Sequence, residues 1–195
     1  MVPPEEDPEA ATDVVRTFRP VDPASRPVRR RRTARVLLVD DLGRVLLFSD
    51  SDPGLPGVRW WITPGGGVEP GESDREGAVR EILEETGHVT ETGALTGPIA
   101  RRRVRHGYTD VVVDQEEVFF GLTVAPFEVD DAGHTDEERL TMTEHRWWTR
   151  AELAGTTETV WPAQLLELWD RLDAGLPSLD LGTQEESTVP VAEVT

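Results

Sequence analysis

Apolar residues in this chain come in short bursts, most too brief for a helix and broken by glycine, proline or aspartate. Ala34-Arg-Val-Leu-Leu-Val39 and Val45-Leu-Leu-Phe48 are two such bursts. The Asp-Asp-Leu-Gly-Arg between them predicts a β-hairpin with Gly43 in the turn. Arg59-Trp-Trp-Ile-Thr63 predicts a third strand, stopped by Pro64-Gly-Gly-Gly67. Residues 96–105, 110–124 and 145–149 read as further strands. Two segments carry helical spacing instead. Ser73 followed by Glu76 is a capping-box start for a helix running to about Thr86, with Gly87 as its stop. Trp161, Leu165, Leu168, Trp169 and Leu172 recur at helical spacing after Pro162, predicting a helix over 162–174 with one buried face.

This order of elements predicts an α/β fold, an α/β/α sandwich with a mixed β-sheet between helices. Residues 73–86 are expected on one side of the sheet and 162–174 on another. The Pro-, Glu- and Asp-rich residues 1–30 read as a flexible leader, 31–176 as the folded domain and 177–195 as a flexible tail. The run Arg29 to Arg32 reads as a solvated approach to the first strand. No segment resembles a membrane span or a secretory signal, so no membrane partner is expected and the default compartment is the cytoplasm.

Composition narrows the chemistry. The 195 residues include no cysteine and no lysine; all 20 basic residues are arginine, against 38 acids, for a net charge of −18. These absences exclude a thiol nucleophile, a thiolate metal site, a Schiff base and a P-loop lysine. There is also no G-x-S-x-G elbow and no H-E-x-x-H helix. Carboxylate, histidine, arginine and metal chemistry remain. The acidity argues against a nucleic-acid polymer as partner. An anionic small molecule can still bind, provided a divalent cation bridges it to the protein.

The helix over 73–86 holds the candidate chemistry. On a wheel of about 100° per residue, Glu81, Glu84 and Glu85 share one sector, while Ala78, Val79, Ile82 and Leu83 occupy a separate apolar arc. At an effective dielectric near 20, each carboxylate pair at this spacing repels by roughly 3 kcal/mol. The helix dipole adds to the penalty near the C-terminus. Arg80 can relieve Glu84 and Glu76, but not Glu81 or Glu85, by helical spacing. A cluster of this kind is either a solvated face or a metal site. The glycine-rich turn just ahead, which allows close backbone approach to a ligand, favours the metal site. Oxygen donors alone suit Mg²⁺ or Mn²⁺.

Residues 66–88 resemble the Nudix hydrolase signature, G-x5-E-x7-R-E-U-x-E-E-x-G-U with U aliphatic. Gly66, Glu72, Arg80, Glu81, Ile82, Glu84, Glu85 and Gly87 fall on its fixed positions. Only the last aliphatic position departs, being His88. The resemblance implies a Nudix-type sandwich and hydrolysis of a nucleoside diphosphate linked to another moiety, a small-molecule nucleotide substrate. It implies that Glu81, Glu84, Glu85 and the Gly66 carbonyl ligate Mg²⁺, with Mn²⁺ as a substitute, while Glu72 and Arg80 orient the cluster. A non-catalytic nucleotide-sensing module is the alternative. An isomerase on the same fold is excluded by the lack of cysteine. Homodimerisation stays open.

The general base varies within this superfamily. Glu81 and Glu144 are the candidates; Glu116 and Glu117 lie on one strand and point to opposite faces, so at most one can enter the site. On the strand over 96–105, Arg101, Arg103 and Arg105 share a face and are candidate phosphate-binding residues, with Arg102 pointing away. The alternative is a solvent-facing strand balanced by nearby acids.

Overall fold

The structure, a computed structural model, describes residues 15–191. Strand β1 (Val28–Asp40) turns into β2 (Arg44–Ser51) through a tight loop in which Gly43 takes φ 73°. Asp40 ties this loop by accepting from the backbone N–H groups of Leu42 and Arg44. Then follow β3 (Arg59–Ile62), β4 (Gly65–Gly67) and α1 (Asp74–Thr86). The capping box of α1 pairs Ser73 with Glu76, and Gly87 ends the helix at φ 68°. The chain continues through β5 (Thr96–Gly107), β6 (Val112–Val124), α2 (Asp136–Thr141), β7 (Glu144–Thr149), α3 (Arg150–Gly155), β8 (Val160–Trp161), α4 (Leu165–Asp173) and β9 (Leu179–Glu185).

The nine strands among the described residues belong to one mixed sheet, ordered β8-β3-β2-β1-β6-β5-β9, with β4 added to β1 and β7 to β2. Its spine is the parallel pairing of β1 with β6, in register from Val28 opposite Val112 to Asp40 opposite Val124. The two-residue period of a strand divides the core in two. Ala34, Val36 and Leu38 face Ala78 and Ile82 of α1, together with Phe48, Phe120 and Leu122. Leu37 and Val39 face Leu165, Leu168 and Trp169 of α4, together with Trp61, Phe119 and Trp148. The expected α/β/α layering therefore holds, with the two main helices on opposite faces. Among the described residues no helix is long and apolar enough to cross a membrane.

Three expectations need correction. The arginine run is not an approach to β1 but part of it, because the pairing with β6 already starts at Val28. Arg31 donates to Gln115, and Arg32 pairs with Asp74 at 2.5 Å. The expected tail, 177–195, contains β9, which pairs in parallel with β5, and the buried Glu186. Of the expected leader, residues 1–14 lie outside the described residues, as do 192–195 of the tail. From Arg16 onward the leader is fastened. Asp110 accepts from the Arg16 guanidinium and from the backbone N–H groups of Thr17 and Phe18, at 2.6–3.1 Å.

Candidate metal centre

The site forms where β4 crosses the inner face of α1. Gly65 lies opposite Arg35 of β1 with φ 123°, and a Cβ there would fall 2.1 Å from the Ala34 carbonyl oxygen. Gly66 needs glycine for another reason: its Cβ would lie 2.7 Å from the Glu81 carboxylate. The backbone of this turn and the carboxylates of α1 are thus in direct apposition, which no larger residue would permit.

Glu81 and Glu85, one helical turn apart, are buried beside Ala78 and Ile82. Leu83, expected in the apolar arc, is instead 48% exposed, because the face that meets β1 and β4 is centred between Glu81 and Ile82. A third carboxylate joins them from outside the helix. Glu81, Glu85 and Glu138 of α2 offer ligand oxygens that all lie within 4.8 Å of one another. Each has one oxygen already engaged. Glu81 accepts from Arg80 at 2.9 Å, Glu85 from the Gly65 N–H at 2.8 Å, and Glu138 from the Thr135 N–H at 2.7 Å within a capping box. The second oxygen of each has no hydrogen-bond partner among the described residues.

Burial pushes the Glu85 carboxyl well above the usual carboxylate range, and the nearby Glu81 charge pushes the same way. Glu81 is raised as well, by burial first, against the opposing pull of Arg80. Converging carboxylates held in this state suit a hard divalent cation with oxygen ligands, and the donor set therefore fits Mg²⁺ or Mn²⁺.

Arg80 organises the rim. It donates to both oxygens of Glu72, to Glu81, to Glu84 and to the Gly67 carbonyl. The helical spacing missed its contact with Glu81, which is made sideways from the adjacent position. Glu76, expected as a partner of Arg80, serves the capping box instead. Glu84 leans outward to Arg80 with its side chain 42% exposed, outside the three-carboxylate group.

Glu138 was not foreseen. Its loop is clamped to the end of α1. The Asp130 N–H donates to the Thr86 carbonyl, His134 Nε2 lies 3.2 Å from the Glu85 carbonyl, and a Cβ on Gly133 would strike the Glu84 carbonyl oxygen. The only local signal was Thr135 three residues before Glu138, a capping-box pattern. Glu144 begins β7 and stands 3.5 Å from Arg59 with its side chain half exposed, apart from the three-carboxylate group.

The arginines of β5 alternate as expected, with Arg101, Arg103 and Arg105 outward and Arg102 buried. The outward three are matched by acids. Arg103 pairs with Glu116 at 2.5 Å, Arg105 with Asp114 at 2.6 Å, and Arg101 lies 3.7 Å from Asp74. In the sheet register Arg32–Glu116–Arg103 and Arg30–Asp114–Arg105 form two cross-strand rows. Each outward arginine thus has an acidic neighbour, the charge-balanced arrangement that the alternative reading described. Glu116 and Glu117 do point to opposite faces, the first exposed and the second buried.

A mixed sheet layered between helices, with a glycine turn laid over a glutamate-bearing helix, defines a Nudix-type domain. Residues 29–169 match the family model described as NUDIX domain, and the chain belongs to the Nudix family. Among curated relatives, a candidate 8-oxo-dGTP diphosphatase of Bacillus subtilis (strain 168) is 38% identical over 88 residues, covering 45% of this chain and 50% of that protein. An RNA pyrophosphohydrolase of Dinoroseobacter shibae is 43% identical over 61 residues, covering 31% and 36%. Human diphosphoinositol polyphosphate phosphohydrolase 2 is 36% identical over 80 residues, covering 37% and 44%. The chain thus spans half or less of the length of these relatives. A MutT protein from Bacillus halodurans shares the fold, with TM-score 0.53, 20% identity, and 77% of this chain and 89% of that chain covered.

Proposed function

We propose that this protein is a divalent-cation-dependent hydrolase that uses water to cleave the pyrophosphate bond of a nucleoside diphosphate linked to another moiety. The observation that carries the reading is the convergence of Glu81, Glu85 and Glu138, each with an uncommitted oxygen, beneath the Gly65–Gly67 turn. The names of the three relatives, a diphosphatase, a pyrophosphohydrolase and a phosphohydrolase, support the reaction class.

Glu81, Glu85 and Glu138 would hold Mg²⁺ or Mn²⁺, which supplies charge neutralisation at the phosphoryl oxygens and acidifies water. The chain's own groups do the rest. Arg80 keeps Glu81 and Glu72 oriented and ties both to the Gly67 carbonyl. The Gly65 N–H fixes one oxygen of Glu85 and leaves the other to face the site. In this reading Glu138, rather than Glu144, is the carboxylate outside α1 that serves the reaction.

A panel of nucleoside diphosphate derivatives, assayed with Mg²⁺ by phosphate release after phosphatase coupling, tests the proposal. Turnover of at least one derivative, abolished by EDTA, is the expected result. Binding of the panel without turnover would instead favour a nucleotide-sensing module.

A further inference from the structure

Gly65 is gripped at both ends of its own residue. Its N–H donates to Glu85 at 2.8 Å, and its carbonyl accepts from the Arg35 guanidinium, which also reaches the Thr63 carbonyl at 3.3 Å. Arg35 is itself held, since its Nε donates to Glu117 at 3.3 Å. The other oxygen of Glu117 accepts from Arg102 Nε at 2.6 Å. The remaining two nitrogens of Arg102 reach Glu186 in a two-pronged pair at 2.6 and 2.8 Å. An unbroken line of contacts, buried at Glu186, Arg102 and Glu117 and partly buried at Arg35, therefore runs from the residue just past β9 to a carboxylate of the metal centre. It alternates in charge, Glu186, Arg102, Glu117, Arg35, and sums to zero.

Stability alone does not account for this line. The Arg102 and Glu117 side chains are each only 2% exposed. Replacing buried ion pairs with well-packed apolar residues is often neutral or stabilising. What the line supplies is direction. Glu117 is engaged by two arginines and by Gln115, whose amide donates at 2.6 Å, so it cannot draw the Arg35 fork away from the Thr63 and Gly65 carbonyls. The planar fork spans Glu117 on one side and two backbone carbonyls on the other, a geometry an ammonium cannot reproduce.

We propose that Arg35, Glu117, Arg102 and Glu186 are positioning residues for Glu85, so that β9 and Glu186 complete the metal centre from beyond the matched residues 29–169. The proposal rests on the cation-dependent reading above. None of the four belongs to the three-carboxylate group. They act through the Gly65 peptide, which fixes the Glu85 carboxylate.

Manganese titration, with free Mn²⁺ followed by electron paramagnetic resonance, tests this without any substrate. Two variants are read beside wild type: Arg35→Lys, which keeps the charge and loses the fork, and the double variant Arg102→Met with Glu186→Met, which removes one charge of each sign. Both should bind Mn²⁺ about 10-fold more weakly, the scale for loss of groups that orient metal ligands. Their melting temperatures in EDTA should stay within a few degrees of wild type. Wild-type Mn²⁺ affinity in either folded variant overturns the proposal. So does failure of both to unfold cooperatively, since the line would then hold the fold rather than Glu85. Glu85→Gln, titrated in parallel, separates this from failure of the cation reading: wild-type binding in that variant would overturn the metal centre itself.

Discussion

His134 Nε2 lies 3.2 Å from the carbonyl oxygen of Glu85, which fastens the loop carrying Glu138 to the last turn of the helix carrying Glu81 and Glu85. The same contact satisfies a helix-end carbonyl that would otherwise lack a partner. The His134 ring is buried and meets Phe48 edge-on at 5.7 Å between centroids. His134→Ala should therefore lower stability by about 1–3 kcal/mol. It should also weaken Mn²⁺ binding several-fold because Glu138 loses its anchorage. Urea unfolding and the manganese titration check the two effects separately.

Glu138 and Glu144 give opposite expectations. Glu138→Gln removes one of three converging charges and should lower kcat by about 10²-fold or more. Glu144 faces Arg59 across 3.5 Å at an exposed position, where an ion pair contributes little. Glu144→Gln should leave kcat within about threefold of wild type, a surface substitution by this account. Steady-state kinetics on the best substrate of the panel decides between them.

Gly66→Ala tests the close approach of β4 to α1. The new methyl would stand 2.7 Å from the Glu81 carboxylate and must push it aside. Loss of activity by about 10²-fold is expected, on the scale of a displaced catalytic group. Circular dichroism should show native secondary structure, because Gly66 does not need a left-handed backbone.

A pH effect follows from His106. Its Nδ1 lies 2.8 Å from the Glu186 carbonyl and its Nε2 3.1 Å from the Gln115 amide, an arrangement for the neutral ring. Burial pushes its pKa down to about 4, although the nearby Glu117 charge pulls upward; Arg102 and Arg35 push further down. The unfolded chain, at an ordinary value near 6.5, binds the proton more tightly than the folded one. The stabilisation is therefore complete above about pH 6.5 and is lost as pH falls towards 4. A comparison with His106→Asn should show the wild-type advantage shrinking by about 2 kcal/mol between pH 7 and pH 4.5.

The parts of the fold that rest on local pattern were legible in the residues. Ser73, Glu76 and Gly87 delimit α1 by capping chemistry that acts within a few residues. The alternation of Leu37 with Leu38 encodes the two cores, and that of Arg101 with Arg102 the inward and outward faces of β5. What depends on distant closure was not legible. Glu138 reaches Glu85 across 53 positions of sequence, only because His134 and Asp130 dock on the end of α1. Strand β9 has one half-buried flank and a glycine at 182, so it lacks a strong period and exists as an edge added to β5. The partners of Arg101, Arg103 and Arg105 are set by register, which spacing along one strand does not reveal.

The most direct test of the central claim is a manganese titration of wild type beside Glu81→Gln, Glu85→Gln and Glu138→Gln, without substrate. Wild type should bind Mn²⁺ at a defined site, and each variant should bind at least about 10-fold more weakly. Glu85→Gln should also melt in EDTA at or above the wild-type temperature, since it removes a buried carboxylate that repels its neighbour. Undiminished Mn²⁺ binding in any one of the three variants would contradict the account.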